Sequence, residues 1–176
     1  CASHWETFSA PAASSVRIDP KKYPFLPIFA DNGIATGQLA AKHLLERGLR
    51  NFAYYGLRKK DVFRDRGRSF RDTLKQAGFK TDFYESKFNV RSISWETELT
   101  NIVNWLTSLT KPVGIMTYAD DYSQQIVEAC KVAKLKIPDE VAIVGVDNDH
   151  LICNLSNPPL SSFALKYERA GYEIAH

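Results

Sequence analysis

From Phe25 onward the apolar residues fall into two alternating patterns. FLPIFA (25–30), NFAYYG (51–56), VGIMTY (113–118) and VAIVGV (141–146) are short apolar runs rich in β-branched and aromatic residues, which predicts buried strands. A weaker run lies near 82–87. Between the runs, apolar positions recur at helical spacing. Ile34, Gly37, Ala41 and Leu44 share one face through 33–47, with Asp31 or Asn32 as cap and Gly48 as the stop. Leu99, Ile102, Val103, Leu106 and Leu109 predict a helix over 94–109. Ile126, Cys130 and Ala133 predict another over 121–134, where Asp121 precedes Gln124 at capping-box spacing. Alternation of strand and helix at these lengths implies βαβ units, hence an α/β fold with a doubly wound parallel sheet. Residues 1–24, rich in Ala, Ser and Pro, follow neither period and read as an irregular leader.

Composition narrows the class. A chain of 176 residues, 44% apolar and 24% charged, suffices for one domain or one lobe of a two-lobed protein, with a core needing neither disulfides nor metal. With 23 basic against 20 acidic residues the net charge is only +3, and no polyphosphate-binding face stands out. The densest basic segment holds Arg58, Lys59, Lys60, Arg64, Arg66, Arg68 and Arg71, but Asp61, Asp65 and Asp72 interrupt it. That pattern suits a solvated helix start better than a nucleic-acid patch. No apolar run is long enough to span a membrane. Cys1, Cys130 and Cys153, without C-x-x-C spacing, suit reduced thiols in a cytoplasmic protein rather than a disulfide framework or zinc site. Beginning at a cysteine with no signal-peptide pattern, the chain reads as an excerpt of a longer polypeptide.

In an open parallel sheet ligands bind beyond the carboxyl ends of the strands, so the residues just after each apolar run are the ones to inspect. They are polar: Arg64, Arg66 and Arg68 follow NFAYYG, Asp120 and Asp121 follow VGIMTY, and Asp147, Asn148 and Asp149 follow VAIVGV. A carboxylate accepts from neighbouring hydroxyls and a guanidinium fork donates to their oxygens, which suits a sugar. Each group also has a plainer reading. Asp121 fits a helix cap, and Asp147 with Asn148 fits an Asx turn. Asp120 is open between ligand and structural roles. No G-x-G-x-x-G, P-loop or G-x-S-x-G motif is present, and His4, His43, His150 and His176 show no metal-ligand pairing, so neither cofactor, metal nor catalytic residue is expected. Asp120 and Asp147 as a glycosidase pair have nothing to raise one pKa. Trp95 falls on the apolar face of its helix, Trp105 flanks it, and Cys130 reads as a small buried hydrophobe.

Several segments taken together carry a resemblance: DNGIATGQLAAKHLLERGLRNFAYYG (31–56), the R-x-x-x-F of Arg66 to Phe70 before QAGF, GIMTYADD (114–121), KIPDEVAIVGVDND (136–149) and NPPLSS (157–162). In order and spacing they resemble the effector-binding domain shared by lactose- and galactose-repressor-type regulators and periplasmic sugar-binding proteins. AIVGVDNDHLICNLSNPPLSS is most similar to the xylose operon regulators, which place such a domain ahead of an AraC-type helix-turn-helix. The resemblance implies a type I periplasmic-binding-protein-like fold, two α/β lobes with a sugar between them. This chain would then supply mainly the C-terminal lobe, 25–164 with crossover strands at FLPIFA and near 160–163, and from 165–176 the start of an N-terminal-lobe helix. It implies ligand contacts by Arg66, Asp120 and Asp147, with Tyr122 and Asn148 in second rank. The implied function is sensing xylose or a related aldose in a cytoplasmic, homodimeric transcriptional regulator that meets operator DNA through a domain this chain lacks. The alternative is a periplasmic sugar-binding protein of a transporter.

Overall fold

The computed structural model describes residues 31–57, 61–86 and 94–175. The leader, FLPIFA and the basic residues at 58–60 lie outside them. In the unit spanning Gly33–Ala164, five parallel strands form one sheet: β1 (Asn51–Leu57), β2 (Thr81–Ser86), β3 (Val113–Thr117), β4 (Val141–Asp147) and β5 (Ser161–Ala164), in the order β2-β1-β3-β4-β5. Helices α1 (Gly33–Glu46) and α2 (Asp61–Gln76) pack together against one face, α3 (Trp95–Ser108) and α4 (Asp120–Ala133) against the other, and the short α5 (His150–Leu155) joins β4 to β5. A further helix, α6 (Tyr167–Ala175), belongs to a separate unit.

Strand periodicity sorts the side chains. Ala53, Tyr55, Val113, Ile115, Val141 and Ile143 meet Ile102, Leu106, Ile126, Val127 and Cys130 in one core. On the opposite face Phe52 meets Phe79 edge-on and Tyr54 lies beside Phe70. Trp95 and Trp105 pack partly buried against the first core, and the Trp105 indole donates to Asp82 at 3.0 Å.

Several sequence expectations shift. Ile34 does not join the buried face of α1: it is 54% exposed, and Gly33, Thr36, Gly37, Ala40, Ala41 and Leu44 face inward. The cause is Gly37, across which the α2 backbone passes so closely that the contact stripe centres there. Asp121 is not the cap of α4, which begins at Asp120 after Ala119. Its carboxylate instead accepts from the Tyr122 amide at 2.9 Å. The basic segment is more than a helix start: α2 continues to Gln76 and buries Phe70 and Leu74 completely. Helix α5, too short for a periodic signal, is capped by Asp149, which accepts from Leu151 and Ile152. The segment near 160–163, expected as a crossover strand, overlaps β5, which pairs with β4.

Burial sets a pH dependence. Burial pushes the Cys130 thiol up to about 12. Burial, then the charge of Asp120, pushes Cys153 up to about 11. The unfolded chain releases these protons at lower pH than the native state, so stability should hold below about pH 9 and fall as pH rises towards about 11 to 12. Urea melts at about pH 8 and about pH 10.5 should therefore give a lower midpoint at the higher pH. An equal or higher alkaline midpoint would contradict this account.

Candidate functional site

The strand order sets the site. The chain leaves β1 to one side and resumes at β3 on the other, so α2 and α4 lie on opposite faces and their connections part at the carboxyl ends, the place where open parallel sheets take ligands. Arg66, in the second turn of α2, is only 3% exposed. Its Nη1 donates to the Tyr118 carbonyl just beyond β3 at 2.7 Å, and its Nη2 lies 3.8 Å from Asp147 Oδ1 at the end of β4. The guanidinium carbon also sits 5.3 Å from the Tyr118 ring centre, within cation–π range. One cation thus ties together the segments that follow β1, β3 and β4. A buried guanidinium is tolerable here because a carbonyl accepts from it and a carboxylate lies against it.

Asp147 keeps one third of its side chain exposed, against 4% for Arg66, so the pair opens to solvent on the carboxylate side. Its backbone is strained: Asp147 has φ 105° and Asn148 φ 53°. Two consecutive non-glycine residues at positive φ persist only where their surroundings hold them, and such strain concentrates at ligand sites. The Asn148 amide donates to Ser162 Oγ at 3.0 Å.

Asp120 is placed differently. It is 1% exposed, and both carboxylate oxygens are occupied within the protein. Oδ2 accepts from the Asp149 amide at 2.7 Å and from the Cys153 thiol at 3.4 Å, while Oδ1 accepts from Ser162 Oγ at 2.5 Å. Tyr122, partly buried, lies between Tyr118 and Tyr55 at ring separations of 5.4 and 5.8 Å. Burial, then the Asp121 charge, pushes its phenol up to about 12, so it keeps its proton and stays a donor at neutral pH. Arg66 and Asp147 therefore meet, Asn148 follows on the same turn with its amide on Ser162, Tyr122 stands one ring away from Tyr118, and Asp120 is enclosed.

Sequence reasoning passed over Tyr118, counted as the last residue of its strand although it is the first beyond it. It also passed over Ser162, which closes the NPPLSS segment but was given no role there, and Glu98, a buried carboxylate on α3 that accepts from Ser86 at 2.6 Å. Among the described residues no group of His, Cys, Asp or Glu is placed to hold a metal, and no helix is long and apolar enough to cross a membrane.

Comparison with known proteins places the fold in a family. A family model described as a periplasmic binding protein-like domain matches residues 41–176. The chain belongs to that family. This periplasmic binding protein-like domain is 32% identical over 156 residues to the xylose operon regulatory protein of Haemophilus influenzae, covering 87% of the chain and 40% of that protein. It is 27% identical to the Escherichia coli K12 protein of the same name, covering 88% of the chain and again 40% of the relative. The domain thus spans about two fifths of these curated relatives. Its fold matches that of a xylose-binding transcription activator with a TM-score of 0.83 at 24% identity, over 97% of this chain and 46% of that one. It also matches a LacI-type regulator from Alkaliphilus metalliredigens complexed with D-xylulofuranose, with a TM-score of 0.75 at 23% identity over 97% and 61%.

Proposed function

We propose that this domain senses a small aldose, xylose or a close relative, as the effector module of a transcriptional regulator. The observation that carries the reading is the pairing of Arg66 with Asp147 at the carboxyl ends of the sheet, where a donor fork and a partly exposed acceptor stand side by side. Neighbouring sugar hydroxyls need both. Asp147 accepts from them, Arg66 orients the carboxylate and donates to a ring or hydroxyl oxygen, and Asn148 and Tyr122 offer further polar contacts. The curated relatives are regulators, which favours transcription control over transport or turnover.

In the complete protein, sugar binding shifts the population between two conformations and so changes how a DNA-binding domain meets its operator. An AraC-type helix-turn-helix, a cytoplasmic location and a homodimer belong to the same reading, supported by the sequence resemblance. Calorimetric titration of the complete protein with D-xylose, D-ribose, L-arabinose and D-glucose tests it. Saturable binding of D-xylose, tighter than of the others, is expected. No saturable heat with any of the four sugars would overturn it.

A further inference from the structure

We propose that Asp120 is a positioning residue rather than a ligand contact: its buried carboxylate fixes the strained turn that presents Asp147. The inference rests on the sugar-site reading above. Three independent features of the fold meet at this carboxylate. Asp149 is held directly, amide to Oδ2 at 2.7 Å. Asn148 is held through Ser162, whose hydroxyl donates to Oδ1 at 2.5 Å and accepts from the Asn148 amide at 3.0 Å. The two amides that follow Asp147 are thereby pinned from one anchor, and these are the bonds that can hold φ 105° at Asp147 and φ 53° at Asn148.

The third feature is Gly145. It lies opposite Ser162 in the β4–β5 register, and a Cβ there would overlap Asp120 Oδ1 and come within 2.7 Å of Ser123 Oγ. The glycine opens the passage through which the carboxylate reaches from α4 across β4 to β5. The surroundings favour a carboxylate. Everything around it donates: an amide, a hydroxyl and the Cys153 thiol. A carboxylate accepts from all three at once, whereas a carboxamide keeps a single acceptor oxygen and would reverse the short bond to Ser162, replacing charge-assisted bonds with neutral ones and leaving that hydroxyl to accept from two N–H groups. Thr117, hydrogen-bonded to Ser123 at 2.6 Å, closes the knot on the β3 side.

Asp120→Asn, Ser162→Ala and Ser162→Thr test the proposal through two readouts in the complete protein. Hydrogen exchange at the Asn148 and Asp149 amides, without ligand, reads the turn alone. Calorimetry with D-xylose, corrected to folded protein, reads the site. Asp120→Asn and Ser162→Ala should speed exchange at these amides by about ten-fold or more and weaken D-xylose by about five-fold or more. Ser162→Thr, which keeps the hydroxyl, should leave both within about two-fold of the parent. Exchange unchanged in Ser162→Ala overturns the proposal, as does fast exchange with unchanged affinity, which would make the knot structural only. Affinity lost with exchange unchanged returns Asp120 to the ligand contacts. Should Asp120→Asn fail to fold, Ser162→Ala decides. A parent protein that binds no sugar removes the functional reading, while exchange still reports whether Asp120 holds the turn.

Discussion

Asp147→Asn is expected to weaken D-xylose binding to the complete protein by about ten-fold to 150-fold while its melting temperature hardly moves. The substitution keeps shape and, because Asn tolerates positive φ at least as well as Asp, it leaves the backbone at φ 105° no more strained. What it removes is charge, and a hydrogen bond to a charged acceptor contributes about 1.5 to 3 kcal/mol. Stability should change by no more than about 1 kcal/mol, since the pair with Arg66 is 3.8 Å long and its carboxylate is one third exposed, so water screens it. The carboxamide oxygen can still accept from Arg66. A residue that only shaped the turn would behave otherwise, because Asn forms the same turn and affinity would be untouched. Titrations showing a loss of less than about two-fold would therefore eliminate Asp147 as a ligand contact.

The largest stability effect is expected at Gly37. Replacing it by Ala should cost about 3 kcal/mol and lower the melting temperature by about 6 to 12 °C. Gly37 lies where α1 crosses α2, and an added Cβ would overlap the Arg66 carbonyl and lie 2.8 Å from the Phe70 amide and 2.9 Å from Ser69 Oγ. Two of these atoms are backbone, so no rotamer change relieves the clash and α2 must move away. That shift would strip packing from Phe70 and carry Arg66 off the Tyr118 carbonyl, so sugar affinity should fall with stability. Leu39→Ala on the same helix, at a side chain 54% exposed, serves as a control and should change stability by about 0.5 kcal/mol or less. A melting temperature for Gly37→Ala equal to that of the control would rule out the close helix crossing.

Much of the architecture was legible along the chain because period reports burial. VGIMT became a strand with every residue buried, and NFAYYG and VAIVGV each extended by one residue into β1 and β4. Helices α3 and α4 fell within a residue or so of their expected limits for the same reason. The strand-end rule likewise drew attention to Arg66 and Asp147, since polar residues directly after an apolar run have few other places to lie. Period also misled. It set Ile34 on the buried face of α1, because spacing cannot show that a glycine will let a second helix settle beside it.

The sequence by itself determined the class of fold, the apolar faces and a short roster of polar groups at strand ends. Local spacing decides those, through the pitch of the helix and the pleat of the strand. Which of those groups would touch was settled only by the order β2-β1-β3-β4-β5, which sets the ends of β1, β3 and β4 side by side although long stretches of chain separate them. Asp120 and Asp147 look alike in the sequence, each a carboxylate just beyond an apolar run. The tertiary structure separates them by neighbours: Asp120 meets an amide, a hydroxyl and a thiol over a glycine and is enclosed, while Asp147 meets one guanidinium and stays open to water. Donors brought from β5 and α5 make that difference, and no spacing rule along the chain reaches across it.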